Sequence, residues 1–337
     1  MSKRPTLADV AQLSGLSITT VSMVLTNRPN TRLSLDAAER VRAAAAKLNY
    51  RPNPAARGLR MGKTRTVGFI SDEVTITRYA SAMIRGLLEE AEVRDHTVLI
   101  SESGRRQDRI LQAMELMIDR QADGIVFGLM GAKRIELPEL STDVPIVTTN
   151  ATTTAGHPCV LPDEYSAGHN AVRHLVERGH RRIAFIGRSE SLLNLDISAT
   201  VGARYAGMDD AMAEAGLTFA HQVAGSIWEP DLGYRGMLEI IDAASVTAVV
   251  TANDRVAFGV YQAAAERGLR IPADVSVISF DDEYLASYLR PQLTTMQIPY
   301  LEMGRLAMDL VLDGDPPTQT LVPVPLQERG SVRDLNA

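Results

Sequence analysis

From Thr66 onward the chain alternates short apolar, β-rich runs with helical stretches, and this alternation limits the fold more than any other feature. Runs at 67–70, 97–101, 124–129 and 145–149 form a first series, with helical stretches near 79–94 and 107–120 between its first three members. A second series lies at 182–186, 223–225, 247–251 and 275–280, interleaved with helical stretches near 166–178, 201–215, 231–243 and 254–267. Strands that are apolar on both faces suit parallel sheets covered by crossover helices. Two such series predict two α/β subdomains.

The first 50 residues show no strand pattern. Thr6 and Asp9 have capping-box spacing, and Val10, Ala11 and Leu13 give the first helix an apolar face. Gly15 breaks it, and Ser17 caps a second helix bearing Val21, Val24 and Leu25. Ser34 caps a third, with Val41, Ala44, Ala45 and Leu48 on one face. Residues 51–65 read as a short hinge helix and linker opened by Asn53-Pro54. The net charge of -6 divides unevenly: residues 1–65 carry +9 and the remainder -15. A basic module for a polyanion joined to an acidic body explains that division.

At 337 residues the chain has room for two or three domains, and 45% hydrophobic with 23% charged residues is ordinary for a globular protein. No apolar run nears the roughly 18 residues of a membrane span. The N-terminus lacks the apolar core of a secretory signal. The lone Cys159 cannot form an internal disulfide. These features point to a cytoplasmic protein.

Residues 6–26 have helix-turn-helix form, with a turn at Ser14-Gly15-Leu16. The segment from Thr6 to Ser17, followed by Thr20-Val21-Ser22, resembles the opening of the lactose/galactose-repressor family. Asn49-Tyr50-Arg51-Pro52-Asn53, then Ala56-Arg57 and Leu59-Arg60, is similar to that family's hinge. Gly179-His180-Arg181-Arg182, Thr251-Ala252-Asn253-Asp254, Asp274-Val275-Ser276 through Asp281-Asp282, and Arg290-Pro291-Gln292-Leu293-Thr294-Thr295 extend the likeness along the body. The resemblance implies a helix-turn-helix domain at 1–50, a hinge at 51–65 and an effector-binding and dimerisation domain at 66–337. That body would resemble periplasmic sugar-binding proteins, with subdomains at 66–163 plus 292–322 and at 164–291 plus 323–337.

The resemblance also implies site residues. Ile18, Thr19 and Met23 stand where the family reads bases, and Ser17, Thr20 and Ser22 where it meets phosphates. Thr6, Asn53, Ala56 and Arg57 complete the expected DNA contacts, and Leu59 matches a wedge that enters the minor groove. Many relatives carry Arg at the place of Met23, which cannot make the bidentate contact to guanine. Ile18 and Met23 are alternatively core residues, but Val21, Val24 and Leu25 already fill the inward face.

For the effector, Arg204 matches an arginine that bonds ligand oxygens, Asp281 an acceptor of ligand hydroxyls, and Trp228 and Tyr300 aromatic positions. Tyr79, Asn150, Asp163 and Asn253 are further candidates. Arg204 is alternatively a surface residue and Trp228 a packing residue. Thr77-Arg78-Tyr79-Ala80 departs from the family pattern, and Arg78 with Arg255 adds positive charge, which admits a larger or acidic sugar.

The expected function is a transcriptional regulator, a repressor, that binds a palindromic operator as a dimer and answers to a sugar-like effector. Neither metal nor cofactor is expected, and His169, His174 and His180 lack a metal-binding pattern. Three rivals remain: a sugar-processing enzyme, a transport-linked sugar-binding protein and an effector-free architectural DNA binder. Against the enzyme, the chain has no nucleophile elbow, Rossmann fingerprint or phosphate loop.

Overall fold

The computed structural model describes residues 5–25, 33–50, 63–75, 78–104, 106–314 and 316–337, with no side-chain description at 78–80. The chain divides into two compact units, Met1–Arg65 and Thr66–Ala337. Among the described residues no single helix is long and apolar enough to cross a membrane.

In the first unit α1 (Leu7–Ser14), α2 (Ile18–Leu25) and α3 (Leu35–Lys47) pack around Val10, Val21, Val24, Val41 and Ala44. Thr6 and Asp9 close a reciprocal capping box, satisfying amides that the first turn leaves open. Gly15 ends α1 with φ +69, a conformation that costs glycine little. The turn bends α1 and α2 by 104°. Arg40 braces it by donating to the Ser14 carbonyl at 2.6 Å. Leu13, expected on the apolar face, is instead 45% exposed. The helical period places Ser14, one turn after Val10 and Ala11, in the inward position.

The second unit contains two six-stranded sheets. The first has the order β11-β5-β4-β3-β1-β2, from β1 (Thr66–Ser71), β2 (Thr97–Glu102), β3 (Gly124–Ile135), β4 (Ile146–Thr153), β5 (Cys159–Pro162) and β11 (Gln319–Val322), all parallel. The second has the order β12-β10-β9-β8-β6-β7, from β6 (Ile183–Arg188), β7 (His221–Ala224), β8 (Ala248–Thr251), β9 (Ser276–Asp281), β10 (Thr294–Gln297) and β12 (Leu326–Gln327). Only β12 runs antiparallel to its neighbour among the described pairs.

Three helix pairs cover these sheets. They are α4 (Arg78–Val93) with α11 (Tyr300–Asp313), α6 (Glu164–Glu177) with α7 (Val201–Glu214), and α8 (Pro230–Ala243) with α9 (Asp254–Glu266). Helix α5 (Gln107–Asp119) lies over β1 and β2, and α10 (Tyr284–Tyr288) touches α9. Each pair meets through reciprocal glycines: Gly86 and Gly304, Gly168 and Gly207, Gly233 and Gly259. A methyl group on any of them would overlap a backbone oxygen of the facing helix. An apolar cluster including Phe69, Met83, Phe185, Met208, Phe280 and Met303 runs continuously through both sheets' inner faces.

Two boundaries differ from expectation. Thr294–Gln297 pairs with β9, so the return to the first sheet falls after Gln297 and not at 292. The chain therefore passes between the sheets near 163, 298 and 323–325. β3 continues beyond 129 to Ile135, because its extension meets a segment from the other half. Arg134 N donates to the Leu195 carbonyl at 2.7 Å, and Ala199 N to the Ala132 carbonyl at 2.8 Å.

Candidate DNA-reading helix and effector site

Helix α2 owes its start to Ser17. The Ser17 hydroxyl oxygen accepts from Thr20 N at 3.1 Å and lies 2.9 Å from the Thr20 hydroxyl. With Val21 and Val24 turned inward, the helix period leaves Ser17, Ile18 and Thr19 exposed and Thr20, Ser22 and Met23 half-buried. Ile18 is 48% exposed and stands outside the core that Val21 and Val24 help to form. Thr6 sits at the start of α1, its hydroxyl donating to Asp9. Asn53, Ala56, Arg57, Gly58 and Leu59 lie outside the described residues, as does the Tyr79 side chain.

In the second unit the expected effector residues gather at the C-terminal edges of the strands, where open α/β sheets place their ligands. Asn150, in left-handed backbone at φ 54, donates to the Leu129 carbonyl at 2.9 Å. Asp163 caps α6 by accepting from Ser166 N at 3.1 Å. Asn253 caps α9, accepting from Val256 N at 2.9 Å and donating to the Trp228 carbonyl at 3.2 Å. Trp228 in turn donates from Nε1 to the carbonyls of Gly187 and Gly225.

Arg204 is neither on the surface nor open to solvent: it is 3% exposed. Its Nε and Nη2 donate to Glu164 at 2.6 and 2.5 Å, and its Nη1 to the Ala252 carbonyl at 2.7 Å. The guanidinium lies 4.2 Å from the Phe280 ring centroid and 5.6 Å from that of Trp228. Burial opposes its charge, but Glu164 more than offsets this by charge and hydrogen bond, so its pKa rises above the ordinary value.

Asp281 and Asp282 occupy consecutive left-handed positions, φ 105 and 57. Such strain persists only where neighbours fix it. Asp254 accepts from Glu283 N at 2.7 Å and from the Thr295 hydroxyl at 2.8 Å. Asp282 accepts from Arg329 at 2.6 Å and Gln297 at 2.9 Å. Burial pushes the Asp254 carboxyl well up, with the nearby Asp281 charge adding to it. Tyr300 is likewise pushed well up, by burial first and then by Asp281 and Glu164. A tyrosine of α11 thus feels carboxylates from β9 and α6, which brings the edges of the two sheets into one electrostatic neighbourhood.

Sequence reasoning did not single out Glu164, Asp254, or the ion pair of Asp72 with Lys133 at 2.8 Å beyond β1. Only the adjacent polar pairs Asp163-Glu164 and Asn253-Asp254 hinted at the first two. Arg255, expected to add positive charge, instead pairs with Glu229 at 2.8 Å and Glu283 at 3.3 Å. The three histidines have ordinary partners: His169 with Glu214, His174 with Arg178, and His180 with Thr247 and the Arg333 carbonyl. Among the described residues no cluster of three or more His, Cys, Asp or Glu could hold a metal ion.

Residues 6–53 match the family described as bacterial regulatory proteins, lacI family, and residues 172–332 a periplasmic binding protein-like domain. Catabolite control protein A of Priestia megaterium is 32% identical over 314 residues, covering 91% of each chain. The crystal structure of the lac repressor dimer bound to operator and the anti-inducer ONPF superposes with a TM-score of 0.79 at 24% identity, covering 98% of this chain and 100% of that one. A complex of the transcriptional regulator CelR with cellobiose gives 0.61 at 25% identity, covering 97% and 100%. A helix-turn-helix unit joined to such a body defines a DNA-binding transcriptional regulator with an effector-binding domain. The chain belongs to the LacI family, whose members are regulators and not enzymes.

Proposed function

We propose that this regulator represses transcription in the cytoplasm, binding a palindromic operator as a homodimer and responding to a small sugar or sugar derivative. Helix α2 enters the major groove. Ile18, Thr19 and Met23 read bases, while Ser17, Thr20, Ser22 and Thr6 fix register on phosphates. The hinge residues Asn53, Ala56, Arg57 and Leu59 act at the operator centre. The effector lies between the two sheets, with Arg204, Asp281, Trp228 and Tyr300 around it and Tyr79, Asn150, Asp163 and Asn253 at its margins. The domain plan is a reader at 1–50, a hinge at 51–65 and a sensing body at 66–337.

The observation that carries this reading is the buried Glu164–Arg204 pair beside the Trp228 and Phe280 rings, with Tyr300 feeling the charges of Asp281 and Glu164. Carboxylates and an aromatic face, at strand ends of two parallel sheets, suit the hydroxyls and apolar face of a sugar. The cellobiose bound by CelR supports the same ligand class. Ligand then acts through its different affinity for two orientations of the subdomains.

Selection of bound duplexes from a random DNA pool at about 0.15 M salt tests the first half. An enriched palindrome is expected, and its release by one sugar of a panel tests the second. A single unpaired half-site would overturn the dimer, and an operator indifferent to every small molecule would overturn the effector.

A further inference from the structure

We propose that the effector of this protein carries no anionic group, and that Glu164 enforces this by occupying Arg204. The inference rests on the effector reading above and specifies the chemistry of that ligand.

Arg204 is the cation that an acidic ligand would seek. A carboxylate or phosphate is best held by two parallel N–H groups of one guanidinium. Glu164 already takes that fork through Nε and Nη2, and the Ala252 carbonyl takes Nη1. The pair is closed, with side-chain exposures of 4% and 5%. Phe280 lies against the guanidinium as well. An entering anion would have to displace Glu164, leaving a buried carboxylate without its cation, which is strongly unfavourable. Glycine contacts fix this arrangement, since Gly168 sits against the Arg204 backbone and Gly207 against that of Tyr165.

The neighbouring cations whose side chains are described also face carboxylates, although Arg188 Nε is buried without a hydrogen-bond partner. Lys133 pairs with Asp72, whose other oxygen accepts from Met130 N. Arg188 pairs with Asp209 at 2.5 Å, Arg255 with Glu229 and Glu283, and Arg329 with Asp282. Asp281 adds negative charge that acts on Arg204, Asp254 and Tyr300 together. Among the described residues the site thus presents matched pairs plus further carboxylates. That favours hydroxyl or ammonium donors and repels acids. The ligand class is a neutral polyhydroxylated compound or an amino derivative of one.

Thermal unfolding of the full chain provides the test. A bacterial metabolite extract, supplemented with commercial sugars, is split by ion exchange into anionic, neutral and cationic pools. The neutral or cationic pool is expected to raise the midpoint by on the order of 5 °C, and the anionic pool to leave it unchanged. Stabilisation by sugar phosphates or uronates in the anionic pool overturns the inference while the effector reading survives. Stabilisation by none of the pools overturns both. Glu164→Gln keeps the shape and removes the charge, so it should lower the preference for uncharged over acidic ligands at least tenfold. Glu164→Asp, which keeps the charge, should retain the exclusion and controls for simple misfolding. Unchanged selectivity in Glu164→Gln would remove Glu164 from the explanation.

Discussion

Trp228 donates its indole hydrogen to the carbonyl of Gly187 at 2.9 Å, fastening the loop after β7 to the end of β6. Gly187 holds φ +112, and a methyl group there would collide with the Ala252 side chain and lie 3.2 Å from Trp228 Nε1. Gly187→Ala should therefore destabilise the second unit by about 2–4 kcal/mol and release the indole. Trp228 is the sole tryptophan, so urea unfolding followed by its emission reads both effects. Unchanged stability and emission would show that the contact is not restrictive.

The opposite faces of α2 separate folding from recognition. Val21 is fully buried, so Val21→Ala should cost about 1–3 kcal/mol in the unfolding of the first unit. Ile18→Ala should change stability by less than about 0.5 kcal/mol while weakening operator binding. Gel-shift titration alongside thermal unfolding distinguishes the two. Met23→Arg should raise the preference for guanine at the base it faces, by about 1–3 kcal/mol of discrimination. An identical selected sequence would remove Met23 from the reading set.

His174 and His180 give the body an acid-sensitive stability. Burial lowers both pKa values, with Arg178 and Arg333 respectively opposing the proton by charge. The unfolded chain therefore binds protons below about pH 6.5 that the folded chain resists. Stability is complete above that pH and falls as pH drops through the window toward the lower folded values. The slope from each group is at most about 1.4 kcal/mol per pH unit. Urea titrations from pH 7.5 to 5.5 should show the loss, reduced in His174→Gln. A variant with the parent slope would assign the effect elsewhere.

Gly207 sets the distance on which the Glu164–Arg204 pair depends. Gly207→Ala would drive its methyl group into the Tyr165 carbonyl oxygen and part α6 from α7. A loss of about 1–3 kcal/mol in unfolding stability is expected, together with weaker effector binding. Calorimetry with the sugar found to release the operator measures the second effect. Normal stability would mean that the helices slide apart without cost.

The alternation beyond Thr66 was sufficient to read eight of the twelve strands and most of the covering helices, because the central runs among them are apolar on both faces. Four short strands escaped: β5 and β10, which lie inside their sheets, and the edges β11 and β12. β11 shows half of its residues to solvent, and β12 has two residues, too few for a period. The helix at Tyr300–Asp313 was not anticipated, although its Met303, Ala307, Met308 and Val311 keep helical spacing. In the site, residue type marked Arg204 and Asp281 as polar groups worth following. It did not reveal that Arg204 is occupied. Glu164 lies 40 residues away and meets it only because two helices approach through glycines. Leu13 was misplaced because one helical turn offers Ser14 an inward angle despite its hydroxyl, which donates to the Ala11 carbonyl at 3.3 Å.

The three passages of the chain between the sheets have a mechanical consequence. Covalent links of nearly fixed length behave as short struts, so the halves of the body cannot be drawn apart. Rocking and twisting are the movements left to them. The strand edges far from the struts then travel farthest for a small change of angle, as the rim of a hinged cover outruns its pin. Neither half is a continuous stretch of sequence, so a single cut at 163 would strand β11 on the wrong fragment. The body is one object to the ribosome and to a protease, though it has two sheets.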